Sequence, residues 1–218
     1  MMNLVWLLTL FPFSNAFAEM TSDRQLWVQA QVRGKISEQY RYYFEVFPQL
    51  SKSASALNLI EFHAAGALQL DKPKSFWFGY AWIPIFQDGR RNEHRIWQQF
   101  LYESETPPLK WHNRARLEER FFPQTDVGIR LRYMLRLLYG LDDTKVWSIA
   151  VSNEVMLNVN QVPSGPRSGF DQNRFFFGMR YRMGNIAIEP GYLNNFVEGD
   201  PSGDRMNHVA NVAIEINL

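Results

Sequence analysis

The chain of 218 residues carries 23 Lys and Arg against 22 Asp and Glu, a net charge of +1, and contains no cysteine. That balance points to neither nucleic acid nor an anionic lipid surface as partner, and the missing thiols exclude a disulfide framework, thiolate catalysis and Cys-ligated zinc. Aromatic residues make up 15% of the chain, which fits a barrel with an apolar outside and a wet inside.

The first expected element is an export signal. The first eighteen residues contain no charged side chain, and the apolar stretch Leu4 to Phe13 is too short to span a bilayer as a helix. Ala16-Phe17-Ala18 then supplies a small-x-small cleavage site. The departure is an n-region without Lys or Arg. Residues 1–18 therefore read as a signal peptide and 19–218 as one domain, a length that suits a single fold. No later run of about 18 apolar residues predicts a transmembrane helix.

From Arg24 onward, segments of alternating polarity are separated by turn residues, the repeated signature of a membrane barrel. Eleven are predicted, near 25–34, 39–49, 57–70, 75–86, 93–103, 110–122, 127–139, 145–158, 171–183, 185–196 and 206–218. Glu93 to Glu103 and Arg114 to Phe122 have helix-friendly composition. The next segment argues for strand: Ile129, Leu131, Tyr133, Leu135 and Leu137 recur every second residue, with Arg130, Arg132 and Arg136 between them. Glu189-Pro190-Gly191 predicts a bulge or bend, because Pro cannot donate to the ladder and Gly weakens it.

The connections alternate in length. The turns at 71–74 and 183–185 are tight, whereas 87–92, 159–170 and 197–205 are long, as expected for periplasmic turns and outer loops. Single-chain bacterial barrels have an even strand number, so the eleven segments predict twelve strands, with ten as the alternative. The final segment ends on apolar Leu218 in mid-alternation, with Ala210, Val212, Ile214 and Ile216 on one face and Asn211, Glu215 and Asn217 on the other. That strand is the expected signal for the barrel-insertion machinery, although many such barrels finish on Phe.

Alternation alone leaves open whether the apolar face points to lipid or into a soluble barrel. The bulk of Phe76, Phe78, Tyr80, Trp82, Phe175, Phe177 and Tyr181 favours lipid. The lumen side then collects Arg114, Arg116, Glu118, Arg120, Arg130, Arg132, Arg136, Glu154, Arg174, Arg180, Arg182 and Glu215, together with Arg41, Glu45, Glu61, His63 and Glu189. Two readings of these charges stand side by side. They form Arg–Glu pairs that fill a narrow barrel, or the excess arginine makes a pore selective for anions.

Several motifs carry a resemblance. Glu93-His94-Arg95-Ile96-Trp97-Gln98-Gln99, Arg114-Ala115-Arg116-Leu117-Glu118-Glu119-Arg120-Phe121, Ile129-Arg130-Leu131-Arg132-Tyr133, Gly169-Phe170-Asp171-Gln172-Asn173-Arg174, Gly191-Tyr192-Leu193-Asn194 and Asn207-His208-Val209 occur in order. Together they resemble the bacterial family catalogued as domain of unknown function 2490, predicted outer-membrane barrels. The resemblance implies a location and a fold. It assigns no catalytic residue.

A Ser–His pair oriented by a third polar group would indicate a lipid-modifying hydrolase. His63, His94, His112 and His208 lie in no such local pattern, and Ser148 and Ser152 share a face with Glu154 without a neighbouring histidine. Glu61 and His63 read as a lumen hydrogen-bond pair, and no metal-ligand spacing is evident. Asn173-Arg174 reads as a turn-anchoring Asn and a lumen Arg. The expectation is a non-enzymatic transmembrane antiparallel up-and-down barrel of the outer membrane, without cofactor or metal. It is a closed structural protein or a narrow channel favouring anionic solutes. A lipid-modifying hydrolase and a soluble periplasmic barrel binding an apolar ligand are the alternatives.

Overall fold

Eleven strands close into one barrel in the computed structural model, which describes residues 20–87, 89–122, 127–163, 166–199 and 203–218. The expected signal peptide lies outside the described residues, as do parts of four connections between strands. The strands are β1 (Thr21–Lys35), β2 (Tyr40–Ser51), β3 (Ala56–Asp71), β4 (Lys74–Ile85), β5 (Arg91–Thr106) and β6 (Leu109–Phe121). They continue as β7 (Val127–Gly140), β8 (Trp147–Asn158), β9 (Gly169–Met183), β10 (Ile186–Val197) and β11 (Arg205–Asn217). The two helix-friendly segments are β5 and β6, as the neighbouring two-residue period required.

The eleven predicted segments correspond to these eleven strands, and the expectation of twelve, or ten, is overturned. The reason lies in closure. Each hairpin reverses direction, so the first and last strands of an odd set run the same way and must pair in parallel. β1 and β11 do so over thirteen residue pairs, from Thr21 opposite Arg205 to Arg33 opposite Asn217. The ladder is therefore antiparallel except at this one seam.

Connections sort onto two rims. At one rim the turns are short: 72–73, 107–108 and 184–185 each join strands with two residues, and Gly184 takes the positive φ of 59° that its tight turn requires. At the other rim lie the long connections 159–168 and 198–204. The loop after β8 is anchored by Asn160, whose Oδ1 accepts from the Ile129 amide at 2.7 Å while its Nδ2 donates to the Val127 carbonyl at 2.9 Å. No bulge forms at Pro190: β10 keeps one register across it, from Ile188 opposite Tyr181 to Gly191 opposite Gly178. The register shifts lie instead at Gln49/Leu50, Gln69/Asp71 and Met156/Leu157.

Side-chain direction is inverted relative to a water-soluble barrel. Phe44, Phe76, Phe78, Leu131, Tyr133, Phe175 and Phe177 stand exposed on the outer wall, whereas Glu45, Glu61, Arg95, Arg116, Glu118, Arg130 and Arg132 are buried inside. Outward Tyr and Trp gather near the short-turn rim (Tyr40, Tyr102, Tyr139, Trp147) and again near the long-loop rim (Tyr80, Trp82, Tyr192).

Candidate functional site

The barrel interior has two zones. In the half nearer the long loops, side chains pack across the lumen. Ile83 and Met156 are fully enclosed there, and Asn158, Asn195 and Asn207 are buried. Charge in this zone is balanced within itself. Glu118 is 0% exposed and receives Arg130 through Nε at 2.9 Å and Nη2 at 2.6 Å on Oε2, and Arg132 through Nη1 at 2.7 Å on Oε1. Arg130 also donates from Nη1 to Asp171 at 2.9 Å. Glu93 accepts from Arg95 Nε at 2.7 Å and from Arg120 Nε at 2.7 Å. Register explains the need for these carboxylates. Arg116 stands directly opposite Arg132 and Arg95 opposite Arg120, and like charges facing each other across a ladder are destabilising.

The half nearer the short turns holds a cavity of about 730 Å3. Its mouth is marked by Pro108, Gly140, Lys145 and Asn217 at the short-turn rim, and none of the described residues among 159–168 and 198–204 lines it. The lumen is a cup, open at the short-turn rim and closed by the ion-pair layer on the long-loop side. Eleven cationic side chains and seven carboxylates line the cup. The surplus of positive charge is thus concentrated in the cavity.

The wall of the cup has two chemistries. Strands β1 to β5 contribute Trp27, Phe47, Tyr43, Trp77 and Trp97. Trp27 meets Phe47 edge-on at 5.6 Å between centroids, and Tyr43 meets Trp77 edge-on at 6.3 Å. Strands β6, β7 and β9 face them with Arg114, Arg116, Arg132, Arg136, Arg174, Arg180 and Arg182. Two arginines reach across: the Arg116 guanidinium lies 4.1 Å from the Trp97 ring centroid and that of Arg174 lies 4.9 Å from Trp27. Trp97 is accommodated by Gly79, where a Cβ would come within 2.2 Å of its Cζ2.

All twelve residues expected in the lumen point inward. Arg114, Arg116, Arg132, Arg136, Glu154, Arg174, Arg180, Arg182 and Glu215 line the cup, while Glu118, Arg120 and Arg130 belong to the closing layer. Glu154 takes both Nε and Nη2 of Arg132 at 2.9 Å and Nη2 of Arg114 at 2.5 Å. Glu189 accepts from Arg136 and, at 3.4 Å, from Arg180; Glu215 pairs with Arg180 at 3.1 Å and Arg33 at 3.4 Å. Glu93, Arg95 and Asp171 in the layer escaped sequence reasoning, as did the inward aromatics. Segments such as Phe76-Trp77-Phe78 are apolar on both faces, so their alternation carries no signal for the inward member.

Histidine geometry is settled by carboxylates and tyrosines. His63 Nε2 lies 3.0 Å from Glu61 Oε2 and 3.7 Å from Glu45 Oε1, and His112 Nδ1 lies 3.1 Å from Glu103 Oε1. His94 and His208 sit on the outer wall, each 2.6 Å from a tyrosine hydroxyl, Tyr80 and Tyr192. Ser148 and Ser152 line the cup. Asn173 faces outward and exchanges amide hydrogen bonds with Asn153 at 3.1 and 3.2 Å, so it is a cross-strand pair on the wall and not a turn anchor. Among the described residues, no group of three His, Asp or Glu is placed to hold a metal ion.

Comparison with known proteins gives a family without an assigned activity. The model of the family described as a protein of unknown function (DUF2490) matches residues 24–207. An uncharacterized protein of Methylorubrum extorquens is 30% identical over 204 residues, covering 90% of this chain and 88% of the relative. No solved structure matches the chain.

Proposed function

We propose that this chain, which belongs to the DUF2490 family of unknown function, is an outer-membrane barrel with a blind, cationic interior and no through passage. The observation that carries the reading is the inverted polarity of a closed barrel. Large apolar side chains stand exposed around the outer wall while ion pairs fill the inside. A water-soluble protein rarely exposes contiguous apolar patches beyond a few hundred Å2, and aromatic girdles near both rims suit the two membrane–water interfaces. Lipid is then the partner of the outer wall, and β11 (Arg205–Asn217) is the strand offered to the insertion machinery after a leader is removed near Ala18.

The closing layer supports a structural or ligand-holding barrel over a channel. Buried guanidinium–carboxylate pairs with bidentate geometry are rigid, and Glu118 is tied to Arg130 and Arg132 at once. The reading predicts recovery in the urea-washed outer-membrane fraction and heat-modifiable migration on gels. A protein found entirely in the soluble periplasmic fraction would sink it.

A further inference from the structure

Four guanidinium groups of the cup, on Arg41, Arg116, Arg174 and Arg182, give no hydrogen bond to a carboxylate among the described residues, and Arg182, at the mouth, donates to the Thr144 carbonyl at 3.0 Å. Arg174 donates from Nη2 to the Gln172 amide oxygen at 3.2 Å and stacks on Trp27. Arg116 gives Nε and Nη2 to the Gln99 amide oxygen at 2.9 and 2.7 Å and stacks on Trp97, with Glu118 no nearer than 3.7 Å. Arg41 makes no ion pair among the described residues. Neutral amides and ring faces orient Arg174 and Arg116 without cancelling their charge. The other arginines of the cup, Arg33, Arg114, Arg132, Arg136 and Arg180, are matched to glutamate, and of the unmatched ones Arg41, Arg116 and Arg174 are set inside the mouth.

Hydrogen-bonding capacity points the same way. The buried nitrogens left without a partner on the cup wall are Nε of Arg33, Arg41, Arg114 and Arg174 and Nε1 of Trp97, together with His63 Nδ1 and His112 Nε2, which donate or accept according to tautomer. The five Arg and Trp nitrogens are donors only. The unpartnered buried oxygens, on Gln69, Asn195 and Asn207, lie outside the cup. A ligand that completes this wall must bring acceptors and negative charge. It must also bring an apolar body, because Trp77, Phe47, Phe176, Leu193 and Met134 share the same cavity. A volume of about 730 Å3 lies within the roughly 300–1,000 Å3 of small-molecule sites.

We infer that the cup is a binding site for an amphipathic organic anion, a carboxylate or sulfonate on an apolar body, entering at the short-turn rim and held by Arg41, Arg116 and Arg174. The inference rests on the reading of a barrel closed on its long-loop side. Two bodies share this chemistry, an aromatic ring and an alkyl chain.

The mature chain, refolded in lipid nanodiscs with empty nanodiscs as control, is titrated with naphthalene-2-sulfonate, decanoate, neutral 2-naphthalenemethanol and inorganic sulfate. Binding is followed by calorimetry and by fluorescence of the cup tryptophans. Either organic anion is expected to bind at least tenfold more tightly than the neutral alcohol and than sulfate, more weakly as salt rises. Whichever binds more tightly identifies the body. Arg174→Gln and, near the mouth, Arg41→Gln are each expected to weaken binding about tenfold or more; the second keeps the test intact if the first fails to fold. Equal binding of the neutral alcohol, equal binding of bare sulfate, no binding of either organic anion, or folded variants that bind as well as the parent would overturn the inference. Conductance through the parent would instead overturn the closed-barrel reading, whatever the ligands do.

Discussion

Arg130 grips Glu118 through two nitrogens, Nε at 2.9 Å and Nη2 at 2.6 Å, on the single oxygen Oε2. The two residues stand directly opposite each other on β6 and β7, so the contact is the closing stitch of the layer that blocks the lumen. Removing one partner of a buried pair leaves an uncompensated charge, which costs about 3–5 kcal/mol. Glu118→Ala removes the carboxylate that Arg130 and Arg132 share, leaving three cations of the layer and cup wall to Asp171 and Glu154 alone. The expected result is a fall of that size in the stability of the lipid-embedded barrel, read from its urea midpoint.

The outer wall makes an independent prediction. Phe78, 57% exposed in β4, projects away from the barrel. If lipid covers it, Phe78→Arg costs about 2–4 kcal/mol near the bilayer midplane, measured as loss of folding into vesicles. On a wall facing water the same change is near neutral, because surface substitutions usually stay within about 0.5 kcal/mol.

Gly79 has no room for a side chain under Trp97, the ring atom lying 2.2 Å from where its Cβ would be. Gly79→Val must push the Trp97 indole toward the Arg116 guanidinium that covers it. Overpacking of this kind costs about 1–3 kcal/mol. The expected readout is a lower urea midpoint with a shifted tryptophan emission maximum.

The loop 141–146 at the short-turn rim predicts an acid sensitivity. The Thr144 hydroxyl and the Trp147 and Val146 amides donate to the Asp142 carboxylate, and these bonds hold its pKa down at about 2 from the usual 3.8. A depressed folded-state value means that the loop's stabilisation is complete above pH 4 and is lost as pH falls through about 2. Amide exchange at Trp147 should therefore rise across that window and become insensitive to it in Asp142→Asn.

Much of the wall was legible in the chain and little of the floor. Alternation is local, so Ile129 to Leu137 revealed both the strand and the inward direction of Arg130, Arg132 and Arg136. The even-number rule misled because it concerns closure, which depends on Thr21 meeting Arg205 across the whole chain. The separation of Arg130, in the closing layer, from Arg136, on the cup, depends on strand tilt and register, which no single segment encodes. Trp27 and Trp97 remained hidden among outward apolar neighbours.

Single-molecule recording in planar bilayers tests the central claim most directly. The refolded chain, inserted and shown by heat-modifiable migration to be folded, should give no unitary conductance at either polarity. Stable current steps from that same preparation, above all with an anion-selective reversal potential, would show an open pore through the layer of Glu118 and Arg130 and contradict the account.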